Sequence, residues 1–154
     1  MAAYSMDSSA AAKRYLSETG SIWVQGLFTV KPPNEFYAAA TTSVEVVAAI
    51  TRRARGGTIS QSRAARRCAV FLADLDIDFE VVNVTEDLLR EAVSLAQIHA
   101  LRGYDAVQLA AGIEINRLRT ALGLTPLIFV SADRELNAAA LAEGLATEDP
   151  NAHS

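Results

Sequence analysis

Residues 127–145 read LIFVSADRELNAAALAEGL and hold the strongest structural signal in the chain. The apolar run 127–130 predicts a buried strand, because a strand that is covered on both faces is apolar at every position. Ser131 and Asp133 follow, and side-chain oxygens of this kind cap the first turn of a helix. The segment therefore predicts a strand that passes directly into a helix over 134–143.

The same order of strand and helix recurs along the chain. Short apolar or β-branched runs predict further strands at 2–6, 36–40 and 79–84. Polar residues followed by apolar residues at helical spacing predict helices at 10–15, 44–56, 61–75, 85–99 and 104–123. Residues 22–28 have no clear pattern. Repeated strand–helix units favour parallel pairing, so the expected fold is α/β, a three-layer α/β/α sandwich with a mainly parallel central sheet.

The composition is typical of one globular domain. Of 154 residues, 51% are hydrophobic and 21% are charged, so the chain can bury a core. We expect the domain to span residues 1–146 and residues 147–154 to form an irregular tail. The single cysteine, Cys68, cannot form an internal disulfide, and no apolar run approaches the roughly 18 residues that cross a bilayer. These features predict a cytoplasmic protein with no membrane contact.

Charge is distributed unevenly. Lysine and arginine number 14 and acidic residues 18, and this net charge of −4 excludes a uniformly basic nucleic-acid coat. Residues 51–73 nevertheless lack acids and carry six arginines: Arg52, Arg53, Arg55, Arg63, Arg66 and Arg67. This basic patch predicts salt-dependent contact with RNA phosphates. A pair of solvated helices, or a surface for an acidic partner, would explain the same pattern.

Four acidic residues lie at or near strand–helix junctions or helix starts, namely Asp7, Glu45, Asp105 and Asp133. Each has a local explanation as a helix-capping residue, and Thr42 with Glu45 fits a capping box. In parallel α/β folds, however, ligands bind at the carboxyl ends of the strands. We therefore expect the four carboxylates to meet at one edge of the sheet.

Such a cluster needs positive charge, because neighbouring carboxylates raise each other's pKa. Mg²⁺ is held by a few carboxylates while it keeps waters and binds substrate phosphates. The four acids therefore predict a magnesium site, and metal-assisted attack of water on a phosphodiester is the corresponding chemistry.

Several other enzyme classes are disfavoured. The chain has two histidines and no G-x-S-x-G motif, which argues against a Ser–His–Asp hydrolase. Glycine-rich dinucleotide and P-loop motifs are also missing from the sequence. A magnesium phosphatase on a similar sheet lacks support, because Ser9 stands where an aspartate-nucleophile motif would place its second aspartate. His99 falls on the apolar stripe of its helix, which predicts a packed histidine rather than a catalytic base.

Five segments together resemble a known family. They are MDSSAAAKRYLSETGS at 6–21, TTSVEVVAAI at 41–50, LRGYDAVQLAAGIE at 101–114, FVSADRELNAAALAEGL at 129–145 and EDPNAH at 148–153. In this order they resemble the PIN-domain ribonucleases, specifically the VapC-like toxins of bacterial toxin–antitoxin pairs. One departure is Tyr4-Ser5-Met6 in the first predicted strand, where the family has a more aliphatic run.

The resemblance implies roles for particular residues. The metal-binding acids would be Asp7, Glu45 and Asp105, with Asp133 as the fourth, and Ser9 and Ser131 would be supporting hydroxyls. The implied activity is that of an endoribonuclease that depends on Mg²⁺ or Mn²⁺ and leaves a 5′-phosphate and a 3′-hydroxyl.

The resemblance also implies partners, and one alternative function stays open. The partners would be an RNA substrate, a second copy of the chain in a homodimer, and a cognate antitoxin whose C-terminal segment blocks the acidic groove. The alternative is a non-catalytic binding module on the same scaffold, whose acidic pocket docks a basic segment of a partner.

Overall fold

The computed structural model describes residues 1–153. The strands are β1 (Ala3–Met6), β2 (Glu35–Ala39), β3 (Glu80–Val82), β4 (Ile128–Val130) and β5 (Ala146–Glu148). The helices are α1 (Ser8–Ala12), α2 (Ser21–Leu27), α3 (Thr42–Arg55), α4 (Gln61–Asp78), α5 (Glu86–His99), α6 (Gly103–Ala121) and α7 (Arg134–Ala142), with a 3₁₀ turn at Pro150–Ala152. No helix within residues 1–153 is both long and apolar enough to cross a membrane.

The five strands form one sheet in the order β3-β2-β1-β4-β5, and every neighbouring pair is parallel. Side chains of adjacent strand residues point to opposite faces. Accordingly, Val130 of β4 joins a core with residues of α1, α3 and α4, whereas Phe129 joins a second core with residues of α5, α6 and α7. The expected α/β/α sandwich with a parallel sheet is confirmed.

Two helices differ from the sequence predictions. The unassigned residues 22–28 lie mostly in α2, whose start at Gly20 has the left-handed φ of 83° that glycine tolerates. The first helix ends at Ala12 rather than near residue 15, because the next amides bond three residues back and so tighten the chain out of α geometry.

The C-terminal segment was predicted wrongly as irregular. Residues 146–148 form β5, which pairs in parallel with β4, and the 3₁₀ turn follows. The stretch Ala-Thr-Glu has no apolar pattern, so its strand depends on the free backbone edge of β4 and not on its own composition. Beyond it, the His153 ring stacks on Trp23 of α2, with 4.2 Å between ring centroids. The proposed boundary at residue 146 thus falls inside the sheet.

Helix α6 lies close against the sheet at Gly112. A Cβ atom added there would be 2.9 Å from Cδ2 of Phe129 and 3.4 Å from the Ser5 hydroxyl, so only a hydrogen atom fits between helix and strand. Phe129 is completely buried. This close approach fixes the position of α6, and with it the first turn of that helix.

We predict that Gly112→Val lowers the free energy of unfolding by about 1–3 kcal/mol, because the added side chain overpacks a filled core. Gly26→Val is the matched control, since it is also helical but has no atom within 4 Å of the added Cβ. Denaturant unfolding measures both variants. Equal stability of the two would contradict the close packing of α6 on β4.

Candidate functional site

The four predicted acids all lie where elements begin at the carboxyl ends of the strands. Asp7 directly follows β1 and caps α1, and Asp133 caps α7 after β4. Glu45 is in the first turn of α3, which follows β2. Asp105 is in the first turn of α6, although α6 follows a helix and not a strand. Four separate elements thus deliver carboxylates to one end of the sheet.

Asp7 is the most deeply buried of the four, with 3% of its surface exposed. One carboxylate oxygen accepts hydrogen bonds from the Ser9 hydroxyl at 2.7 Å and from the Ala10 amide at 2.8 Å. The other accepts the Ser131 hydroxyl at 2.6 Å. Burial nevertheless raises the pKa of Asp7 to about 6, and the charge of Asp105 adds to this shift. The protein therefore holds Asp7 in a position that disfavours its charged form.

The two predicted supporting hydroxyls both contact Asp7 and also join two junctions. The Ser9 hydroxyl accepts a hydrogen bond from the Ala132 amide at 3.0 Å, and the Ser131 hydroxyl accepts one from the Asp133 amide at 3.0 Å. These bonds tie the junction after β1 to the junction after β4. Ser9 and Ser131 therefore fix the Asp7 carboxylate relative to the start of α7.

Glu45 is held by neutral donors, one of which sequence reasoning missed. The Ser8 hydroxyl donates to one carboxylate oxygen, and the Gln108 amide donates to the other at 3.3 Å. Gln108 also donates to the Thr42 hydroxyl at 2.9 Å and is almost fully buried. Its position three residues after Asp105 places both on one face of α6, which is the sequence signal that could have identified it.

The capping box suggested for Thr42 and Glu45 does not form. Thr41 is the residue before the first turn of α3, it makes no side-chain capping bond, and the Thr42 hydroxyl pairs with Gln108 instead. The local explanation for Glu45 is therefore wrong, and its carboxylate is bonded by Ser8 and Gln108 instead.

Asp105 and Asp133 both pair with one arginine side chain, that of Arg102. The Arg102 guanidinium donates to Asp105 at 3.2 Å and to Asp133 at 3.1 Å. Burial raises the pKa of Asp105, the charge of Arg102 opposes that shift, and the charges of Asp133 and Glu45 reinforce it. Asp105 thus interacts electrostatically with each of the other three acids.

The donor set has the chemistry of a hard-cation site, because carboxylate oxygens are the ligands that Mg²⁺ and Mn²⁺ prefer. The raised pKa of Asp7 marks a carboxylate that a bound cation would stabilise. Within residues 1–153, however, no three histidine, cysteine, aspartate or glutamate side chains are grouped closely enough to hold a metal ion. The metal site remains a prediction, and its acids are at present held by hydrogen bonds and by Arg102.

A groove of about 690 Å³ runs from this site along α3. Glu45 lines one end, and Arg52 and Arg53 line the other. Arg52 follows Glu45 by seven residues, which is about 10 Å along a helix axis. Arg53 pairs with Glu18. The remaining arginines of the basic patch lie outside the groove lining: Arg55, Arg63, Arg66 and Arg67.

Solved structures share this architecture. VapC20 from Mycobacterium tuberculosis, described as a sarcin-ricin loop cleaving toxin, is 19% identical, and the match covers 88% of this chain and 94% of that one with a TM-score of 0.62. The chain has the PIN fold of these toxins. VapBC2 from Rickettsia felis, solved with a DNA fragment from its promoter, matches at 10% identity over 96% and 98% of the two chains with a TM-score of 0.63.

The PIN fold also relates the chain to an archaeal protein. PAE2754 from Pyrobaculum aerophilum is 22% identical over 95% of this chain and 90% of that one, with a TM-score of 0.60. No protein-family model matches the chain, and no curated protein sequence matches it either. At these identities the comparisons establish the fold alone.

We predict that Asp7→Asn stabilises the metal-free protein at neutral pH. Asp7 in the native state takes up a proton near pH 6, whereas an aspartate in the unfolded chain does so near pH 4. The unfolded chain therefore keeps the charge of Asp7 at a lower pH than the native state does. Between these values the native state binds more protons, and its stability falls as the pH rises. The shift corresponds to at most about 3 kcal/mol above pH 7.

Denaturant unfolding in EDTA from pH 4 to pH 8 measures this difference. The advantage of Asp7→Asn should be largest above pH 7 and should disappear near pH 4. Asp87→Asn, on the exposed face of α5, is the control and should change stability little at any pH. Parallel curves for the wild type and Asp7→Asn would contradict the raised pKa.

Proposed function

We propose that the chain is a metal-dependent endoribonuclease that hydrolyses RNA phosphodiester bonds. The observation that carries the proposal is the delivery of four carboxylates, one of them buried with a raised pKa, to one end of a PIN-fold sheet. Mg²⁺ or Mn²⁺ held by Asp7, Glu45, Asp105 and Asp133 would supply a Lewis acid for the attack of water on phosphorus. The expected products carry a 5′-phosphate and a 3′-hydroxyl.

The surrounding residues have defined tasks in this proposal. Ser9 and Ser131 fix both oxygens of Asp7, and Gln108 with Ser8 orients Glu45. These donors are part of the fold, so Asp7 and Glu45 are oriented before a cation binds. The groove along α3 would give an RNA strand a path that begins at Glu45 and passes Arg52.

The biological role that we propose is that of a toxin in a toxin–antitoxin pair. Two observations support it: the fold is shared with VapC20, described as a sarcin-ricin loop cleaving toxin, and the VapBC2 structure contains the same fold. We further propose an antitoxin partner whose C-terminal segment covers the acidic groove, and a homodimer.

A second candidate function has one specific observation in its favour. A guanidinium already lies between Asp105 and Asp133, so a basic side chain from a partner would find suitable acceptors at this end of the sheet. A non-catalytic module would use the acids only in this way. Calorimetric titration with Mn²⁺ separates the two functions, because a pure docking module should give no heat.

We predict that Asp105→Asn reduces RNA cleavage in Mg²⁺ by at least about 100-fold, the order of effect expected when an electrostatic contributor to the transition state is removed. End mapping of products from total RNA gives both the rate and the end chemistry. Circular dichroism verifies that the variant is folded. Asp87→Asn removes an acid from an exposed position on α5 and should keep full activity. Cleavage by Asp105→Asn at the wild-type rate would contradict the assignment of Asp105 to the catalytic site.

We also predict that Arg52→Gln weakens RNA binding. A lost phosphate contact should reduce the salt slope of log K by about 0.7 for single-stranded RNA. Fluorescence anisotropy in EDTA, where no cleavage occurs, measures both quantities over a salt series. Arg117→Gln removes an exposed arginine outside the groove lining and is the control. Identical slopes for the two variants would argue that RNA does not follow the groove.

A further inference from the structure

Arg102 has an unusual place at the acidic site. It precedes the first turn of α6 as its N-cap residue but makes no capping hydrogen bond with its side chain. Instead its guanidinium reaches Asp105 at 3.2 Å and Asp133 at 3.1 Å, and so joins the starts of α6 and α7. The Arg102 side chain is 64% exposed.

The other two acids have a different environment. Asp7 accepts hydrogen bonds from hydroxyls and an amide, and Glu45 accepts them from Ser8 and Gln108. Within residues 1–153, Arg102 is the one basic side chain that pairs with any of the four acids. The positive charge at the site therefore comes from the chain itself and acts on two of the four carboxylates.

We propose that Arg102 is a built-in counter-ion that competes with the divalent cation for Asp105 and Asp133. This inference rests on the proposed metal site. Arg102 engages one oxygen of Asp105 and one of Asp133, so neither oxygen is available to a cation while these ion pairs persist. Arg102 is displaceable, because its side chain is 64% exposed and can move into water, although the Asp105 and Asp133 side chains are only 12% and 26% exposed.

The competing role is distinguishable from a supporting one. If Arg102 merely held the two carboxylates in a geometry that suits the cation, its removal would weaken metal binding. Competition has the opposite sign, because removal frees two ligands and also takes away a like charge that repels the cation. Arginine suits this role better than lysine, since its planar fork donates to two carboxylates from one side chain.

Calorimetric titration of the full chain with Mn²⁺ alone tests the proposal. Arg102→Gln should bind Mn²⁺ with a Kd about two- to tenfold lower than that of the wild type, the range expected for one or two partly exposed ion pairs. Arg102→Lys keeps the charge without the fork and should lie between the two. Arg134→Gln is the matched control, because this exposed arginine adjoins Asp133 in sequence but forms no ion pair within residues 1–153.

Thermal unfolding in EDTA provides a readout that needs no metal. Loss of the counter-ion leaves Asp105 and Asp133 to repel each other, so Arg102→Gln should melt below Arg134→Gln, and added Mn²⁺ should raise its Tm by more than it raises that of the wild type. Mn²⁺ binding that is unchanged or weaker in Arg102→Gln would overturn the competition while leaving the proposed function intact. No Mn²⁺ binding in any of these proteins would overturn both.

Discussion

The buried Asp7 carboxylate is the constraint around which the rest of the site is arranged. A charge that is removed from water costs free energy unless hydrogen bonds or an opposite charge compensate. Ser9, Ser131 and the Ala10 amide supply three hydrogen bonds, yet the pKa of Asp7 remains raised. The fold thus maintains an unfavourable charge at the centre of the strand ends, which is the usual signature of a functional site and seldom that of a structural one.

The four acids fall into two pairs with different partners. Asp7 and Glu45, on the α1 and α3 side, are oriented by neutral donors, whereas Asp105 and Asp133, on the α6 and α7 side, are paired with Arg102. Asp7 and Glu45 are held in position but have no positive charge from residues 1–153 paired with them. The negative charges of Asp105 and Asp133 are balanced by Arg102, which another cation could replace. If the proposed cation binds, Asp7 and Glu45 are already oriented, whereas Asp105 and Asp133 must first separate from Arg102.

The local pattern of apolar and capping residues predicts an element correctly where that element is stabilised by its own sequence. The apolar run before Ser131 and the oxygen-bearing residues at the starts of α1 and α7 were enough to place strands, helix starts and the acids beside them. It failed for β5, whose three residues have no strand pattern and pair only because β4 offers them a free edge. It also missed Gln108, because the spacing from Asp105 places both residues on one face of α6 but does not show that Thr42 and Glu45 of α3 are the partners of Gln108.

The sequence by itself determined the alternation of strands and helices, and hence that Asp7, Glu45 and Asp133, which follow strands, would lie at one end of a parallel sheet. This follows from short-range physics, namely hydrophobic periodicity and helix capping. Only the tertiary structure decided how those carboxylates are held. The burial that shifts the pKa of Asp7, the Gln108 bridge from α6 to α3 and the Arg102 link from α6 to α7 all depend on contacts between segments far apart in the chain. Such contacts are set by three-dimensional packing, and no local pattern encodes them.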